Sequence, residues 1–248
     1  LSNSPNSIFS NNTIFVSGDN GIYCQSCPNS SFSFNTIESD NMGIQSENSE
    51  GSIISYNYIY TNGDDGIRMN NCHNCVFDQN EIGGRPHDGI DVENSSDLSC
   101  TNNTLNVREI GIRSPGGNNQ IFDGNHITDF REHGINFNCS TNSTASNNYM
   151  YSATPNTDGD DGAYKIGLYN DCNSEANISV TNNQIFVVTS YSWNDHQYGM
   201  RLDGAVEITG NEGYVASASS DNHAIGIEAY NTGVMSDNFI FVNQYNTY

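Results

Sequence analysis

Two short phrases of apolar and polar residues recur along the whole chain. A glycine followed by an aliphatic residue stands at Gly21-Ile22, Gly43-Ile44, Gly66-Ile67, Gly89-Ile90, Gly111-Ile112 and Gly134-Ile135, about 23 residues apart. It returns at wider spacing at Gly167-Leu168, Gly199-Met200 and Gly226-Ile227. An asparagine two residues before an aliphatic one keeps the same beat, from Asn12 and Ile14 through Asn35, Asn57, Asn80, Asn103 and Asn125 to Asn148 and Met150. Between these marks lie short β-branched or aromatic runs bounded by Asn, Ser and Gly, with no helical period. Such runs predict strands, and the fixed period predicts one strand-bearing unit stacked on itself. The fold expected is all-β, a parallel β-helix of about ten coils forming one domain over residues 1–248.

The repeat also assigns faces. If Ile22, Ile44, Ile67, Ile90, Ile112 and Ile135 form one inward row, alternation turns the residue two after each glycine outward. That outward row reads Tyr23, Gln45, Arg68, Asp91, Arg113, Asn136, Tyr169, Arg201, Glu228. The row two before glycine is expected outward as well, and includes Asp64, His87, Glu109, Glu132 and Lys165. The middle coils therefore gather Asp64, Arg68, His87, Asp91, Glu109, Arg113 and Glu132 on one face. Two readings fit. Arg68, Asp91 and Arg113 alternate in sign, as a stabilising ladder would. A histidine between carboxylates is also what acid–base chemistry needs. The stacked asparagines read as a structural ladder, hydrogen-bonded along the axis.

Composition narrows the partners. The formal net charge is −22, with seven Lys and Arg together. That balance argues against nucleic acid and anionic lipid, and no apolar run is long enough for a membrane helix. A polyanionic sugar chain would need a local basic patch, for which Arg68, Arg85, Arg108, Arg113 and Arg131, followed by Lys165, are candidates. Seven sequons, at Asn11, Asn29, Asn94, Asn102, Asn138, Asn142 and Asn177, point to an extracellular glycoprotein, although a chain so rich in Asn, Ser and Thr makes sequons by chance. Cys139 and Cys172 each lie five residues after a repeat glycine on adjacent coils, within reach of a disulfide. Cys24-x-x-Cys27 and Cys72-x-x-Cys75 resemble zinc half-sites, but their offsets from the repeat glycine differ, which favours local disulfides or buried thiols.

Two longer intervals, before Gly167 and before Gly199, insert residues beside the charged face. The second carries Tyr191, Trp193 and Tyr198, a platform for sugar rings. The first carries Asp158, Asp160 and Asp161, which could hold Ca²⁺ although their spacing is not that of an EF-hand. The chain opens inside repeat material, and neither end has an amphipathic segment to cover the core. Open solenoid ends expose unpaired backbone groups, so flanking sequence or end-to-end self-association is expected.

These repeats resemble those of right-handed parallel β-helix proteins of the pectate-lyase-like superfamily. The resemblance implies a right-handed coil and a polysaccharide as partner, acted on by a lyase, epimerase or hydrolase. It also covers non-catalytic surface and fibre proteins. Gly63-Asp64-Asp65-Gly66 is similar to the Gly-Asp-Asp motif of polygalacturonases, yet their Asn-Thr-Asp and Arg-Ile-Lys motifs are absent. Pro86-His87-Asp88 is similar to the Pro-His-acid motif of alginate epimerases, with Arg85 where they carry Asp. Proton abstraction would use His87 as base, with Arg68 and Arg113 neutralising the enolate. Hydrolysis would pair Asp64 with Glu109, two coils and about 9.6 Å apart. Asp91, Glu132, Lys165, Tyr191, Trp193 and Tyr198 are expected to contact the substrate.

Overall fold

The computed structural model describes residues 1–153, 165–171, 176–189, 196–217 and 223–244. Among them are 29 strands and no helix. They form three parallel sheets of ten, ten and nine strands. Each coil contributes one strand to each sheet in turn. One coil, for example, supplies Ile53–Ser55 to the first sheet, Tyr58–Thr61 to the second and Asp65–Asn70 to the third. The next supplies Val76–Asp78, Glu81–Gly83 and Asp88–Glu93 in the same order. This is the expected β-solenoid. No helix in the described residues is long and apolar enough to cross a membrane.

The inward isoleucine row is continuous. Ile22 pairs with Ile44, Ile44 with Ile67, Ile67 with Ile90, Ile90 with Ile112 and Ile112 with Ile135, and the row runs on through Leu168, Met200 and Ile227. The second sheet sends in Ile37, Ile59, Ile82, Leu105 and Ile127, and the first sends in Phe32, Ile54, Phe77, Cys100 and Phe122. All of these except Ile227, which packs half-buried against the others, are buried in one core.

The asparagine ladder is complete from Asn12 to Asn238. Asn35 donates from Nδ2 to Oδ1 of Asn57 at 2.9 Å, and the step repeats through Asn80, Asn103, Asn125 and Asn148. It continues through Asn183, Asn211 and Asn238, so the long insertions leave the register of the stack intact. Each of these amides also takes the backbone N–H of the preceding asparagine, as Asn103 Oδ1 does from Asn80 at 3.0 Å. The second amide proton goes to a main-chain carbonyl, Phe77 in the case of Asn103. A buried polar corner is thereby fully satisfied.

Strand alternation breaks at the repeat glycine. A Cβ on Gly66 would lie 2.4 Å from Ile82 Cγ2 and 2.7 Å from the Gly89 carbonyl oxygen, so this position faces the core and tolerates no side chain. The glycine and the isoleucine after it both point inward. The residue before the glycine, which strict alternation would turn inward, therefore shares the outer side with the residue two after it. Strand pairing reflects the break: Asp65 pairs with Asp88 and Ile67 with Ile90, while the glycines between them are skipped.

Cys24 and Cys27 form a disulfide, whereas Cys72, Cys75 and Cys100 are buried free thiols. The two Cys-x-x-Cys pairs thus take the local forms weighed above. Cys139 is disulfide-bonded, and Cys172 lies outside the described residues. Six of the seven sequon asparagines, Asn11, Asn29, Asn94, Asn102, Asn142 and Asn177, have φ between 49° and 57°. Asparagine tolerates that left-handed region better than most residues, which gives these positions a conformational reason to be Asn.

Replacing Asn103 with alanine removes the amide that satisfies Asn80 N–H and the Phe77 carbonyl. Denaturant unfolding is expected to show a loss on the order of 2–4 kcal/mol, from buried groups left unpaired. A loss below about 1 kcal/mol would mean that the ladder is not a principal source of coil cohesion.

Candidate active site

The outer side of the third sheet carries the charged residues of the middle coils. Arg68, Asp91 and Arg113 are direct register partners on consecutive coils. Asn136, Tyr169, Arg201 and Glu228 continue their row. The row of residues immediately before glycine adds Asp65 and Asp88, followed by Ile110, His133 and Ile166. Glu93 lies two residues beyond Asp91 on the same strand and the same side.

These groups form one ionic cluster. Arg68 lies 3.7 Å from Asp64, 4.0 Å from Asp65, 3.8 Å from Asp91 and 3.9 Å from Glu93. Arg113 Nη1 is 3.3 Å from Asp91 and 3.2 Å from Glu93. His87 Nδ1 is 3.2 Å from Asp88, and its Nε2 is 2.9 Å from Glu109. Arg108 approaches Glu109 at 3.8 Å. The backbone N–H of Ile110 donates to Asp88 at 3.2 Å.

Burial makes the carboxyl groups unequal. Asp65 is 3% exposed and Asp91 2%. Burial, reinforced by the charges of Asp88, Asp91 and Asp64, pushes Asp65 up from its ordinary 3.8 to about 8. Burial also raises Asp91, to about 6, against the pull of Arg113. His87 moves the other way for a base. Its hydrogen bond to Asp88 leads the causes that raise it to about 9, so it is an imidazolium at neutral pH. The cluster thus holds a carboxylic acid, Asp65, that keeps its proton at pH 7 beside Asp91, which at that pH is mostly ionised.

Of the residues expected from sequence, Asp64, Arg68, His87, Asp91, Glu109 and Arg113 come together. Glu132 lies next to His133, with Oε2 4.0 Å from Nδ1, one coil beyond Glu109. Lys165 is only 2% exposed. Tyr198 is buried and sits under the Arg201 guanidinium, 5.8 Å from its ring centre. Tyr191, Trp193 and the Asp158–Asp161 run lie outside the described residues. The sequence reading missed Asp65, Asp88 and Glu93. The signal for Asp65 and Asp88 was the invariant glycine itself, since a residue fixed by a close contact interrupts alternation.

Asp64, Asp65 and His87 place three donor atoms within 4.8 Å of one another. With both ring nitrogens on carboxylates, however, His87 carries two protons and has no lone pair for a metal. The remaining two carboxyl groups are too few to define a cation site by themselves.

The family described as right handed beta helix region matches residues 42–212. The chain belongs to that family. Residues 1–70 are also similar to a family described as periplasmic copper-binding protein (NosD). Among solved structures, the chain is similar to DFA-IIIase from Arthrobacter chlorophenolicus A6 without its lid. The identity is 14% and the TM-score 0.52, over 92% of this chain and 59% of that one. It is also similar to the periplasmic alginate epimerase AlgG, with 18% identity and a TM-score of 0.51, over 88% of this chain and 48% of that one. The chain thus covers only about half of the length of these two structures, and the likeness is one of fold. No curated protein matches it.

A carboxyl group whose folded pKa lies above its unfolded one holds a proton that the unfolded chain has lost. Stability from Asp65 is therefore complete below about 4 and declines as the pH rises to about 8. Calorimetry on Asp65→Asn is expected to show a higher Tm than the native protein at pH 8, with the difference closing toward pH 4. A variant less stable than the native protein at pH 8 would contradict the desolvated, crowded setting assigned to Asp65.

Proposed function

We propose that this β-helix cleaves glycosidic bonds by hydrolysis at the outer side of its middle coils. The observation that carries the reading is Asp65, a buried carboxyl group that remains protonated near neutral pH and is the register partner of Asp88. Hydrolysis at an acetal carbon needs one carboxylic acid to protonate the leaving oxygen and one carboxylate that either attacks the carbon itself, for water to release later, or takes a proton from an attacking water. Asp65 takes the first role. Asp88 takes the second, held by His87 and by the Ile110 N–H. As register partners on adjacent coils, the two have backbones about 4.8 Å apart, which puts both carboxyl groups side by side on one face.

His87 supports hydrolysis over elimination or epimerisation. A base that removes a proton beside a sugar carboxylate needs a free lone pair, and an imidazolium bonded to two carboxylates has none. His87 instead orients Asp88 and neutralises part of the cluster. The fold shared with an alginate epimerase is compatible with a polysaccharide substrate but does not choose the reaction. The Cys24–Cys27 disulfide and the large negative charge suit a secreted or cell-surface protein. A second reading, a non-catalytic surface protein, draws on the paired ladder of Arg68, Asp91 and Arg113, which by itself is good cross-strand electrostatics.

Polysaccharide digests followed by a reducing-end assay separate these readings, with ultraviolet absorbance reporting any unsaturated product. Reducing ends are expected without unsaturation, and kcat/KM should fall as the pH rises through about 8, where Asp65 loses its proton. Asp65→Asn is expected to lower kcat by about 10²–10⁴-fold with KM little changed. Unsaturated products would shift the assignment to elimination. Absence of any product would leave the charged rows as a structural ladder.

A further inference from the structure

We infer that the glycan taken along this face is neutral, a chain of sugar hydroxyls without carboxylate or sulfate groups. The inference rests on the proposed cleavage site and adds the class of its substrate. It follows from how the cations of the face are already used.

Four cations stand in the cluster, Arg68, His87, Arg108 and Arg113, and six carboxyl groups face them, Asp64, Asp65, Asp88, Asp91, Glu93 and Glu109. Each of the four lies within ion-pair distance of at least one of those groups. A uronate would have to draw a guanidinium away from them. Moving Arg113 would leave Asp91, which is 2% exposed, with Arg68 alone at 3.8 Å, and thinning the pairing of a buried carboxylate is costly. Farther along the row, Arg201 is held in the same way, 2.7 Å from Asp171 and 3.1 Å from Glu228. The field of the whole chain points the same way, since a net charge of −22 repels a polyanion before contact.

Beyond the cluster the face offers groups suited to hydroxyls and ring faces. On one side of Arg68 the row reads Gln45 and Tyr23, and on the other side of Arg113 it reads Asn136 and Tyr169. Tyr169 stacks on the His133 ring, with centroids 4.7 Å apart and planes 20° apart. His133 Nδ1 is buried without a hydrogen-bond partner. Burial also holds this imidazole neutral, with its pKa down to about 4. The Tyr169 phenol can exchange hydrogen bonds with sugar hydroxyls, while its flat ring, backed by the His133 ring, covers the apolar face of a sugar. The glycan would thus cross a charged centre between flanks of amides and phenols, where the charged groups, Glu47 and Glu132, are themselves acidic.

Calorimetric titration of Asp65→Asn with neutral and with uronate oligosaccharides of equal length tests this. Neutral chains are expected to bind at least about tenfold more tightly, with little dependence on salt. Tyr169→Ala, added to that protein, is expected to weaken neutral binding by about tenfold with Tm unchanged. Glu93→Gln, which relieves Arg68 and Arg113 of one carboxylate, is expected to strengthen uronate binding. Tighter binding or faster turnover of uronates overturns the neutral assignment while leaving hydrolysis in place. Neutral binding without turnover by the native protein overturns hydrolysis and leaves the assignment standing. Binding of neither class overturns both.

Discussion

Everything on the outer side of this protein depends on the coils stacking in strict register. Backbone hydrogen bonds between parallel strands set the spacing, but they would also allow a slip. The buried asparagine ladder forbids one. Each side chain accepts from the asparagine before it, donates to the one after it and closes a main-chain carbonyl, so a displaced coil would leave several buried polar groups unpaired at once. The repeat glycine adds a steric lock, since only at that position can the second sheet's isoleucine approach the third sheet so closely.

Register of this quality turns sequence periodicity into chemistry. Residues at equal phase lie about one strand spacing apart, whatever their charge. Asp65 and Asp88 are brought together in that way, with Asp91 and Asp64 nearby. In solution such carboxylates would separate. Here the scaffold holds them, and the conflict is relieved by protonation of the most crowded one and by guanidinium groups placed between the others. The site is therefore a small reservoir of electrostatic strain, held by backbone bonding elsewhere in the coil.

The same stacking explains why a strongly acidic protein concentrates its arginines. Arg68 and Arg113 are needed where carboxyl groups accumulate, and their first partners are the protein's own side chains. A cation so engaged is a weak attractant for an anionic ligand, although its presence in the sequence suggests the opposite. Arg201, between Asp171 and Glu228, repeats the arrangement farther along the row.

The sequence by itself determined the solenoid, the inward isoleucine row, the outward row from Tyr23 to Glu228 and the asparagine ladder, because each follows from residues recurring at one period. It also located the charged middle coils. It did not reveal Asp65 and Asp88, because alternation predicts that the residue before glycine points inward. Which way that residue turns is decided by the contact between Gly66 and Ile82, two residues on different sheets. Nor did it show that His87 bridges Asp88 and Glu109, or that Arg113 is held by both Asp91 and Glu93. Periodicity reports which residues stack. Only the tertiary structure fixes how far neighbouring rows lie from one another and from water, and those distances set the charge on each group.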